Sequence, residues 1–252
     1  MNLQPSQRHL PLAGTYNLRD LGGYPTQDRK TTRWRTFFRC DGLHRLSPVG
    51  QQALIDLGLR SVIDLRFPFE VQNEPNVFVG KHPVRYHHIS LMSNLFDASH
   101  VDQKRLVPSS LEVIYCGILN RCQGTLRTIF EVMSDEQEHG IILFHCTAGK
   151  DRTGLIAALL LGLAGVEPTV IAEDYALTDR YLTGLKQELR AKAAAVGEDM
   201  AHYERMLESK PEAMCNTLAY IERKYGGVRL YLQQIGLVEA KIDALREALV
   251  ES

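Results

Sequence analysis

The segment from His145 to Gly154, HCTAGKDRTG, joins two apolar runs of different character and constrains the fold more than any other part of the chain. The stretch Gly140–Cys146 before the loop is a short run rich in strand-forming residues. In the stretch 153–164 after it, apolar residues recur at helical spacing, and Gly165 and Pro168 are placed to end that helix. The pattern predicts a strand, a tight loop and a helix in direct succession.

The predicted loop leads into a helix N-terminus, where backbone N–H groups lack intrahelical partners and form the positive end of the helix dipole. Such a terminus favours an anion, most naturally a phosphate. Gly149 permits a positive φ angle or a close approach of the backbone to the anion. The residues expected to bind the phosphate are Thr147, Ala148, Gly149, Lys150, Asp151 and Arg152.

Cys146 begins the loop and Arg152 stands six positions later. Cationic neighbours and a helix N-terminus favour the thiolate of a cysteine, its nucleophilic form, and we expect His145 to add to that positive environment. The planar guanidinium of Arg152 matches two phosphate oxygens and would stabilise charge during phosphoryl transfer. We expect the Thr153 hydroxyl to hydrogen-bond the sulfur. We therefore interpret Cys146 as the nucleophile and Arg152 as the phosphate-binding cation.

Several alternative roles for this loop fit its residues less well. A small core cysteine and a solvated arginine would need no chemistry, but the pair coincides with a strand, a glycine and an apolar helix. A Walker A loop would need glycine where Phe144 stands. Dinucleotide binding would need more glycines, and zinc would need further Cys or His ligands nearby. The sequence predicts neither a metal nor a cofactor.

The loop closely resembles the phosphate-binding loop of the cysteine-dependent protein tyrosine phosphatase superfamily, HCxxGxxR[ST]G. Its AGKDR core resembles a bacterial and fungal branch that contains tyrosine phosphatases with dual-specificity and phosphoinositide activities. Further segments resembling that branch follow in order along the chain, at 17–24, 38–43, 57–66 with Glu70, 172–178 and 225–232. The resemblance implies one phosphatase domain over residues 1–252 with a tyrosine phosphatase-like fold.

We hypothesise that Cys146 attacks phosphorus, forming a phosphocysteine that water then hydrolyses. An acid must protonate the leaving oxygen, and many relatives carry it on a WPD loop. The single tryptophan, Trp34, is followed by Arg35, so this chain has no WPD sequence. Asp151 is the first candidate for the acid, because nearby phosphate charge would favour its protonated form. Asp64 is the second.

The role of Asp64 stays open at this point. It could instead form an ion pair or loop hydrogen bond that orients Arg66 or Arg152. Asp97 and Asp102 lie in the irregular stretch 93–108, a candidate mobile loop, and are weaker candidates for the acid.

The substrate is a phosphate ester whose class the loop does not decide. Lys150 adds a second cation, which favours a substrate with several phosphates, such as a phosphoinositide. Alternatively, Lys150 balances Asp151 or reaches solvent. A deep cradle suits phosphotyrosine, which is the leading interpretation, with phosphoserine and phosphothreonine as further substrates and inorganic phosphate as product. A non-catalytic phosphate-binding module or a sulfur transferase would be expected to lack Cys146, Arg152 or the Arg152-Thr153-Gly154 pattern.

The composition narrows the binding partners and the cellular compartment that we expect for this protein. The net charge of −1 and the lack of a basic run give no reason to expect nucleic acid or an acidic membrane as partner. Five cysteines without a C-x-x-C pair favour a reducing compartment. No apolar signal region precedes Gly14, and the longest apolar run, Leu155–Val166, is too short to span a membrane. We expect a cytoplasmic protein without an integral membrane segment, with export lacking a cleavable signal still open.

Strands alternating with helices predict an α/β fold, a mainly parallel central sheet flanked by helices, with a helix-rich C-terminal part. The predicted strands are Trp34–Cys40 with its arginines on the outer face, Ser61–Leu65, Val84–Ile89 and the loop-bearing strand. The predicted helices are Pro48–Leu57 with Ser47 as N-cap, Leu111–Met133 with a break at Gln123-Gly124, the helix after the loop, and most of the chain from Pro168 onward. We interpret 183–211 as a solvated helical pair, or alternatively as a lid over the site.

Overall fold

A computed structural model describes residues 8–93, 110–197 and 199–251. Within these ranges the strands are β1 (Arg19–Asp20), β2 (Phe37–Cys40), β3 (Leu59–Asp64), β4 (Arg85–His88) and β5 (Ile141–His145). They form one sheet in the order β1-β2-β5-β3-β4, in which only the pair β1–β2 is antiparallel. The predicted α/β fold with a mainly parallel sheet is confirmed, and β5, which carries the loop, lies at its centre.

Helices account for most of the remaining described chain. They are α1 (Pro48–Leu57), α2 (Pro68–Asn73), α3 (Leu111–Arg121), α4 (Gln123–Glu136), α5 (Asp151–Leu163), α6 (Pro168–Tyr181), α7 (Thr183–Ala195), α8 (Met200–Leu207), α9 (Pro211–Tyr225), α10 (Val228–Gln234) and α11 (Glu239–Leu249). The predicted helix-rich C-terminal part is confirmed. None of the described helices is long and apolar enough to cross a bilayer.

Local signals explain where several elements begin and end. Helix α1 begins as predicted, because the Ser47 side chain accepts a hydrogen bond from the Gly50 N–H at 3.1 Å and Pro48 occupies the first turn. The predicted break within 111–133 falls at Cys122, between α3 and α4. Helix α5 begins at Asp151, two residues earlier than predicted, since the loop turns directly into it. Strand β1 and helix α2 are too short for hydrophobic periodicity to detect.

The central strands of the sheet are buried on both faces, and their successive residues alternate between two apolar clusters. Ile142 and Phe144 of β5 pack with α3, α4 and α5, whereas Leu143 packs in the cluster on the α1 side. Helix α5 is itself buried over 10 of its 13 residues. A helix that is apolar all round belongs in the interior, so the loop between β5 and α5 is anchored at both ends in the core.

Strand β2 corrects one prediction. It begins at Phe37, after a turn that includes Arg35, and the remaining arginine, Arg39, does not lie on an outer face. Arg39 is fully buried, because its guanidinium is bound by Asp174 on α6 and by the carbonyl oxygen of Gly149. An arginine can be buried when every charge around it is paired in this way.

The predicted irregular stretch 93–108 lies outside the described residues except for Ser93. Asp97 and Asp102, the weaker candidates for the acid, belong to that undescribed part.

Candidate active site

The loop that the sequence singles out forms one wall of a cavity of about 240 Å³. Cys146 is only 3% exposed and lies at the end of β5. The loop and α5 line this cavity through Cys146, Thr147, Ala148, Lys150, Asp151 and Arg152. The structure therefore brings the predicted nucleophile, the predicted cation and the first candidate acid to a single site.

The carbonyl oxygens of residues 147–149 all bind to groups behind the loop. The Gly42 N–H donates to the carbonyl of Thr147 at 2.9 Å. The Asn17 amide donates to the carbonyls of Ala148 and Gly149 at 3.1 and 3.0 Å. In a planar trans peptide the next N–H points the opposite way, so these bonds turn the N–H groups of residues 148–150 away from the scaffold. That orientation builds an anion-binding concavity.

Gly149 makes this backbone path possible. Its φ is +65°, as expected from its place in the loop. A Cβ at this position would collide with the carbonyl oxygen of Cys40 on β2. Gly149 therefore lets the loop approach the neighbouring strand β2 closely. This contact holds the loop against the end of the sheet.

A buried charge network supports the scaffold behind the loop. The Asp174 carboxylate on α6 accepts from the Arg19 Nε at 2.9 Å, from the Tyr24 hydroxyl at 2.7 Å and from the Arg39 Nη1 at 2.5 Å. Burial opposes ionisation, but Arg19 and Arg39 outweigh it and hold the pKa of Asp174 well below its usual range. Arg39 donates in turn to the carbonyl of Gly149 at 2.9 Å.

Asn17, the amide that holds two loop carbonyls, is fixed by the same network. Its backbone N–H donates to Asp41 Oδ1 at 2.8 Å, and its side-chain oxygen accepts from Arg19. The segments 17–24, 38–43 and 172–178 that resemble known phosphatases thus meet behind the loop.

The Arg152 guanidinium is oriented by Glu70, in the first turn of α2. Two hydrogen bonds, 2.6 and 3.0 Å long, join its terminal nitrogens to the two carboxylate oxygens, and Nη2 also donates to the Thr147 hydroxyl at 3.2 Å. The Phe67 ring lies 5.1 Å from the guanidinium carbon. Burial opposes ionisation of Glu70, but Arg152 outweighs it and keeps the pKa of that carboxyl below its usual value. Arg152 is therefore charged and held beside the cavity.

His145 supports the loop by hydrogen bonds and not by charge. The ring is fully buried, and burial lowers the pKa of His145, which favours the neutral form. Its Nδ1 donates to the carbonyl of Cys146 at 3.0 Å, and its Nε2 accepts from the Asn76 amide at 2.8 Å. The positive environment expected for the Cys146 thiol must come from Arg152 and the backbone N–H groups instead.

Asp64 lies behind the loop and does not line the cavity. Its fully buried carboxylate binds Arg66 at 2.7 Å and accepts from the Tyr86 hydroxyl at 3.0 Å. Burial opposes ionisation, but the Arg66 guanidinium holds the pKa of Asp64 well below its usual range. In the structure Asp64 is therefore bound to Arg66, as the alternative interpretation of Asp64 expects.

Asp151 occupies the first turn of α5 and, among the described residues, is the carboxyl that lines the cavity, with 38% of its side chain exposed. Its Oδ1 accepts from the Tyr115 hydroxyl at 2.6 Å and from the Lys150 Nζ at 2.9 Å. Lys150 is only 2% exposed, and its ammonium also donates to the carbonyl of Met206 on α8. Lys150, the second cation of the loop, is thus bound by the Asp151 carboxylate and by the Met206 carbonyl.

The Thr153 hydroxyl is buried and has no hydrogen-bond partner among the described residues. The expected bond to the Cys146 sulfur is therefore not formed in this structure.

The segment 183–211 lies over the site. Leu189 on α7 and Tyr203, Met206 and Leu207 on α8 line the cavity opposite the loop. Leu189 and Leu207 belong to a small apolar cluster of their own, against which Ala148 of the loop packs. These helices therefore form a second wall of the cavity and do not simply cover the core.

Several residues of the site carry no role that the sequence alone predicted. They are Asn17, Arg19, Arg39, Glu70, Asn76, Tyr115, Asp174 and Tyr175. One signal could have found some of them. Arg39 stands between Phe38 and Cys40 in an otherwise apolar strand, and a charge in such a position needs a buried partner.

Several known proteins are similar to this chain. The profile of the tyrosine phosphatase family matches residues 10–251. A tyrosine-protein phosphatase of Nostoc commune is 34% identical over 225 residues, which cover 84% of this chain and 74% of that relative. The triple specificity protein phosphatase PtpB of Mycobacterium tuberculosis is 25% identical over 281 residues, 96% of this chain and 99% of that protein. Among solved structures, P. aeruginosa TpbA superposes with a TM-score of 0.36 at 13% identity, over 73% of this chain and 86% of that one.

The family match begins before β1 and ends after α11, so it includes both the loop and the scaffold behind it. The chain is therefore a phosphatase that belongs to the tyrosine phosphatase family.

Proposed function

We propose that this phosphatase hydrolyses phosphotyrosine through a phosphocysteine intermediate formed on Cys146. The observation that carries the proposal is the loop itself. Cys146 and Arg152 line one cavity, and the loop carbonyls between them are bound behind the loop. With the family established, a non-catalytic binding module and a sulfur transferase are set aside.

In the first step, the Cys146 thiolate attacks phosphorus and an S–P bond forms while the ester P–O bond breaks. The backbone N–H groups and Arg152 stabilise the charge on the three transferring oxygens. Asp151 gives its proton to the leaving oxygen, so that the alcohol departs neutral.

In the second step, water attacks the phosphocysteine. Asp151, now a carboxylate, takes a proton from that water, and the S–P bond breaks to return the thiolate and release inorganic phosphate. The Thr153 hydroxyl, buried and free of partners among the described residues, is available to a more negative sulfur in this step.

The choice between the two candidate acids rests on exposure. Asp151 lines the cavity with 38% of its side chain exposed, whereas Asp64 is fully buried and bound to Arg66. A group that protonates a leaving oxygen must reach it within hydrogen-bond distance. We therefore propose Asp151 as the acid and Asp64 as a residue that positions Arg66.

A series of aryl phosphates with leaving groups of rising pKa tests this assignment. Asp151→Asn should lose about 100-fold or more in kcat on the poorest leaving groups and little on the best, because only poor leaving groups need the proton. Asp64→Asn should lower activity evenly across the series. A steep dependence for Asp64→Asn and a flat one for Asp151→Asn would reverse the assignment, and a fully active Cys146→Ser would remove the mechanism.

The walls of the cavity favour an aromatic ester. Leu189, Met206 and Leu207 are apolar, Tyr203 is aromatic, and together they face the loop. A phosphoinositide is the alternative substrate, but the cation that would favour it, Lys150, is bound to Asp151 and to the carbonyl of Met206. We place phosphotyrosine first for this reason.

A substrate panel separates these classes, and the triple specificity named for the Mycobacterium tuberculosis relative justifies its breadth. Matched phosphotyrosine, phosphoserine and phosphothreonine peptides should be compared with phosphoinositide vesicles by kcat/KM. Phosphotyrosine should be hydrolysed fastest. If phosphoinositide instead had the highest kcat/KM, and Lys150→Met lost activity on it alone, the inositol lipid would be the preferred substrate.

The segment 183–211 is proposed to close over bound substrate. Its helices contact the loop through Leu189, Leu207 and the carbonyl of Met206. Limited proteolysis with and without phosphate is the test, and equal cleavage rates would contradict closure. A cytoplasmic location stays a prediction, to be checked by cell fractionation.

A further inference from the structure

Two buried tyrosines connect Asp151 to the core. The Tyr115 hydroxyl, on α3, lies 2.6 Å from Asp151 Oδ1 and 2.7 Å from the Tyr175 hydroxyl, on α6. The rings of Tyr115 and Tyr175 meet edge to face, with their centroids 6.1 Å apart. Both rings are held by packing, because Tyr115 is fully buried and Tyr175 is 1% exposed.

The geometry fixes the direction of the hydrogen bonds when Asp151 is ionised. A tyrosine hydroxyl has one proton to donate, and Tyr115 gives it to the carboxylate. Tyr175 must then donate to the Tyr115 oxygen. Burial, with Asp151 as the next cause, raises the pKa of both tyrosines above the ordinary value, so both remain protonated donors in the working pH range.

The two carboxylate oxygens of Asp151 have different surroundings. Oδ1 accepts two hydrogen bonds, from Tyr115 and from Lys150. Oδ2 takes part in neither of these two hydrogen bonds. A proton on the carboxyl group therefore goes to Oδ2, because Oδ1 is already occupied by two donors.

We infer that Tyr115 is a positioning residue for the acid, which occupies Asp151 Oδ1 and so directs the transferable proton to Oδ2. Tyr175 assists by donating to Tyr115. This inference rests on the proposed role of Asp151 and extends it to residues that do not touch the substrate. Geometry of this kind matters because proton transfer needs the acid held within hydrogen-bond reach of the leaving oxygen.

Other titratable groups face Asp151 and must be counted in any pH dependence. Lys150 and Arg152 lie beside it in the chain, Tyr115 and Tyr175 approach from α3 and α6, and Cys146 and Tyr203 line the same cavity. Among these, Tyr115 can lose its hydroxyl without any change in charge, and Phe keeps its ring packing. Tyr115→Phe therefore removes the hydrogen bond to Asp151, together with the one from Tyr175.

The kinetic experiment measures kcat and KM of Tyr115→Phe across the aryl phosphate series and across pH. We expect kcat to fall roughly tenfold on poor leaving groups, with KM and the reaction of good leaving groups unchanged. A hydrogen-bond donor favours the ionised carboxylate, so its loss should move the alkaline limb of the pH–kcat profile to higher pH. Tyr175→Phe should change the same quantities in the same direction by a smaller amount.

Tyr231→Phe is the matched control. The Tyr231 ring is also fully buried, and its hydroxyl donates at 2.8 Å to the carbonyl of Leu119, on the same helix α3. It lies outside the site, so its loss should lower the melting temperature and leave the pH profile and the leaving-group dependence as in the wild type. If Tyr231→Phe changed the pH profile and the leaving-group dependence as Tyr115→Phe does, the effect of Tyr115→Phe would be structural and the inference would be wrong.

Asp151→Asn separates failure of this inference from failure of the proposed function. If Asp151→Asn does not steepen the leaving-group dependence, Asp151 is not the acid. If Asp151→Asn steepens the leaving-group dependence but Tyr115→Phe keeps the wild-type dependence and pH profile, only the positioning role of Tyr115 is wrong. In the double variant, Tyr115→Phe should add no further loss on poor leaving groups, and an additive loss would contradict the inference.

Discussion

The scaffold behind the loop and the α7–α8 wall in front of it are held by charge pairs of similar length but different surroundings. Behind the loop, Arg39 and Asp174 lie 2.5 Å apart with each side chain 1% exposed. On the cavity side, Lys192 on α7 pairs with Glu74 at 2.6 Å, with side chains 52% and 26% exposed. Removing one partner of a buried pair leaves the other charge buried without water. The remaining charge of an exposed pair is instead solvated by water. From this contrast we predict that the scaffold is rigid and that the α7–α8 wall can move.

The largest effect should come from breaking the buried side. Asp174→Ala removes the shared partner of Arg19 and Arg39 and leaves both guanidinium groups buried without it. We expect a loss of about 3–5 kcal/mol in the free energy of unfolding, measured by denaturant titration. Activity should fall as well, since Arg39 holds the Gly149 carbonyl.

Asp179→Ala is the control on the same helix. Asp179 pairs with Lys186 at 2.7 Å, but its side chain is 41% exposed. Its removal should cost about 1 kcal/mol or less. Equal losses for Asp174→Ala and Asp179→Ala would contradict the contrast between buried and exposed pairs.

Acid should remove the same stabilisation without mutating the network. Because the folded-state pKa of Asp174 lies below its unfolded value of about 3.9, the unfolded chain binds more protons in that interval. The stability contributed by Asp174 is then complete above about pH 4 and is lost as pH falls. The difference in unfolding free energy between wild type and Asp174→Asn should therefore shrink below about pH 4.

The comparison with Asp174→Asn is needed because the stability contributed by Asp20 changes with pH in the opposite direction. Burial raises the pKa of Asp20 to about 6, so its contribution to stability falls as pH rises from about 4 to 6. Asp20 is present in both proteins and cancels. A difference between wild type and Asp174→Asn that grew as pH fell would contradict the pairing scheme.

Gly149→Ala tests the fit of the loop against the sheet, with an intermediate effect. The added Cβ would meet the Cys40 carbonyl at a φ of +65°, which non-glycine residues rarely adopt. We expect a loss of about 1–3 kcal/mol and a fall in kcat on every substrate, because the cradle shifts. Gly124→Ala is the control, since a Cβ there meets nothing within 4 Å. Unchanged kcat in Gly149→Ala would show that the loop tolerates another path.

The smallest effect should come from the cavity side. Lys192→Gln breaks the pair that joins α7 to Glu74, and also the pair with Glu188 within α7. Global stability should change by about 1 kcal/mol or less and depend on salt. If the α7–α8 wall moves, local cleavage within 183–211 should nevertheless become faster in this variant. Slower cleavage, or a global loss as large as that of Asp174→Ala, would contradict a weakly held wall.

The fold class and the centre of the site follow from sequence because they depend on local patterns. Apolar periodicity locates β5 and α5, and the spacing between them places Cys146 and Arg152 in one loop. The network behind the loop is different. Arg39 and Asp174 are 135 positions apart, and only the tertiary fold brings them together. In the sequence alone, both residues resemble ordinary charged surface residues, because their buried partners become visible only in the fold.

The same reason explains why the sequence left two candidates for the acid. Asp64 and Asp151 both stand next to the end of a strand or loop that leads to the site. Burial separates them, and burial depends on long-range contacts of β3 and α5 that no local pattern reports. Tyr115 could not be predicted for this reason too, since its helix α3 contacts Asp151 across 36 positions of sequence.

Trapping the covalent intermediate is the most direct test of the central claim, that the loop transfers phosphate to Cys146. Asp151→Asn should be mixed with a phosphotyrosine peptide, quenched in acid and examined by intact mass and peptide mapping. The claim predicts one added phosphoryl group on the peptide that contains Cys146, and none in Cys146→Ser. Turnover without phosphorylated enzyme in wild type and Asp151→Asn, or phosphate found on another residue, would contradict it.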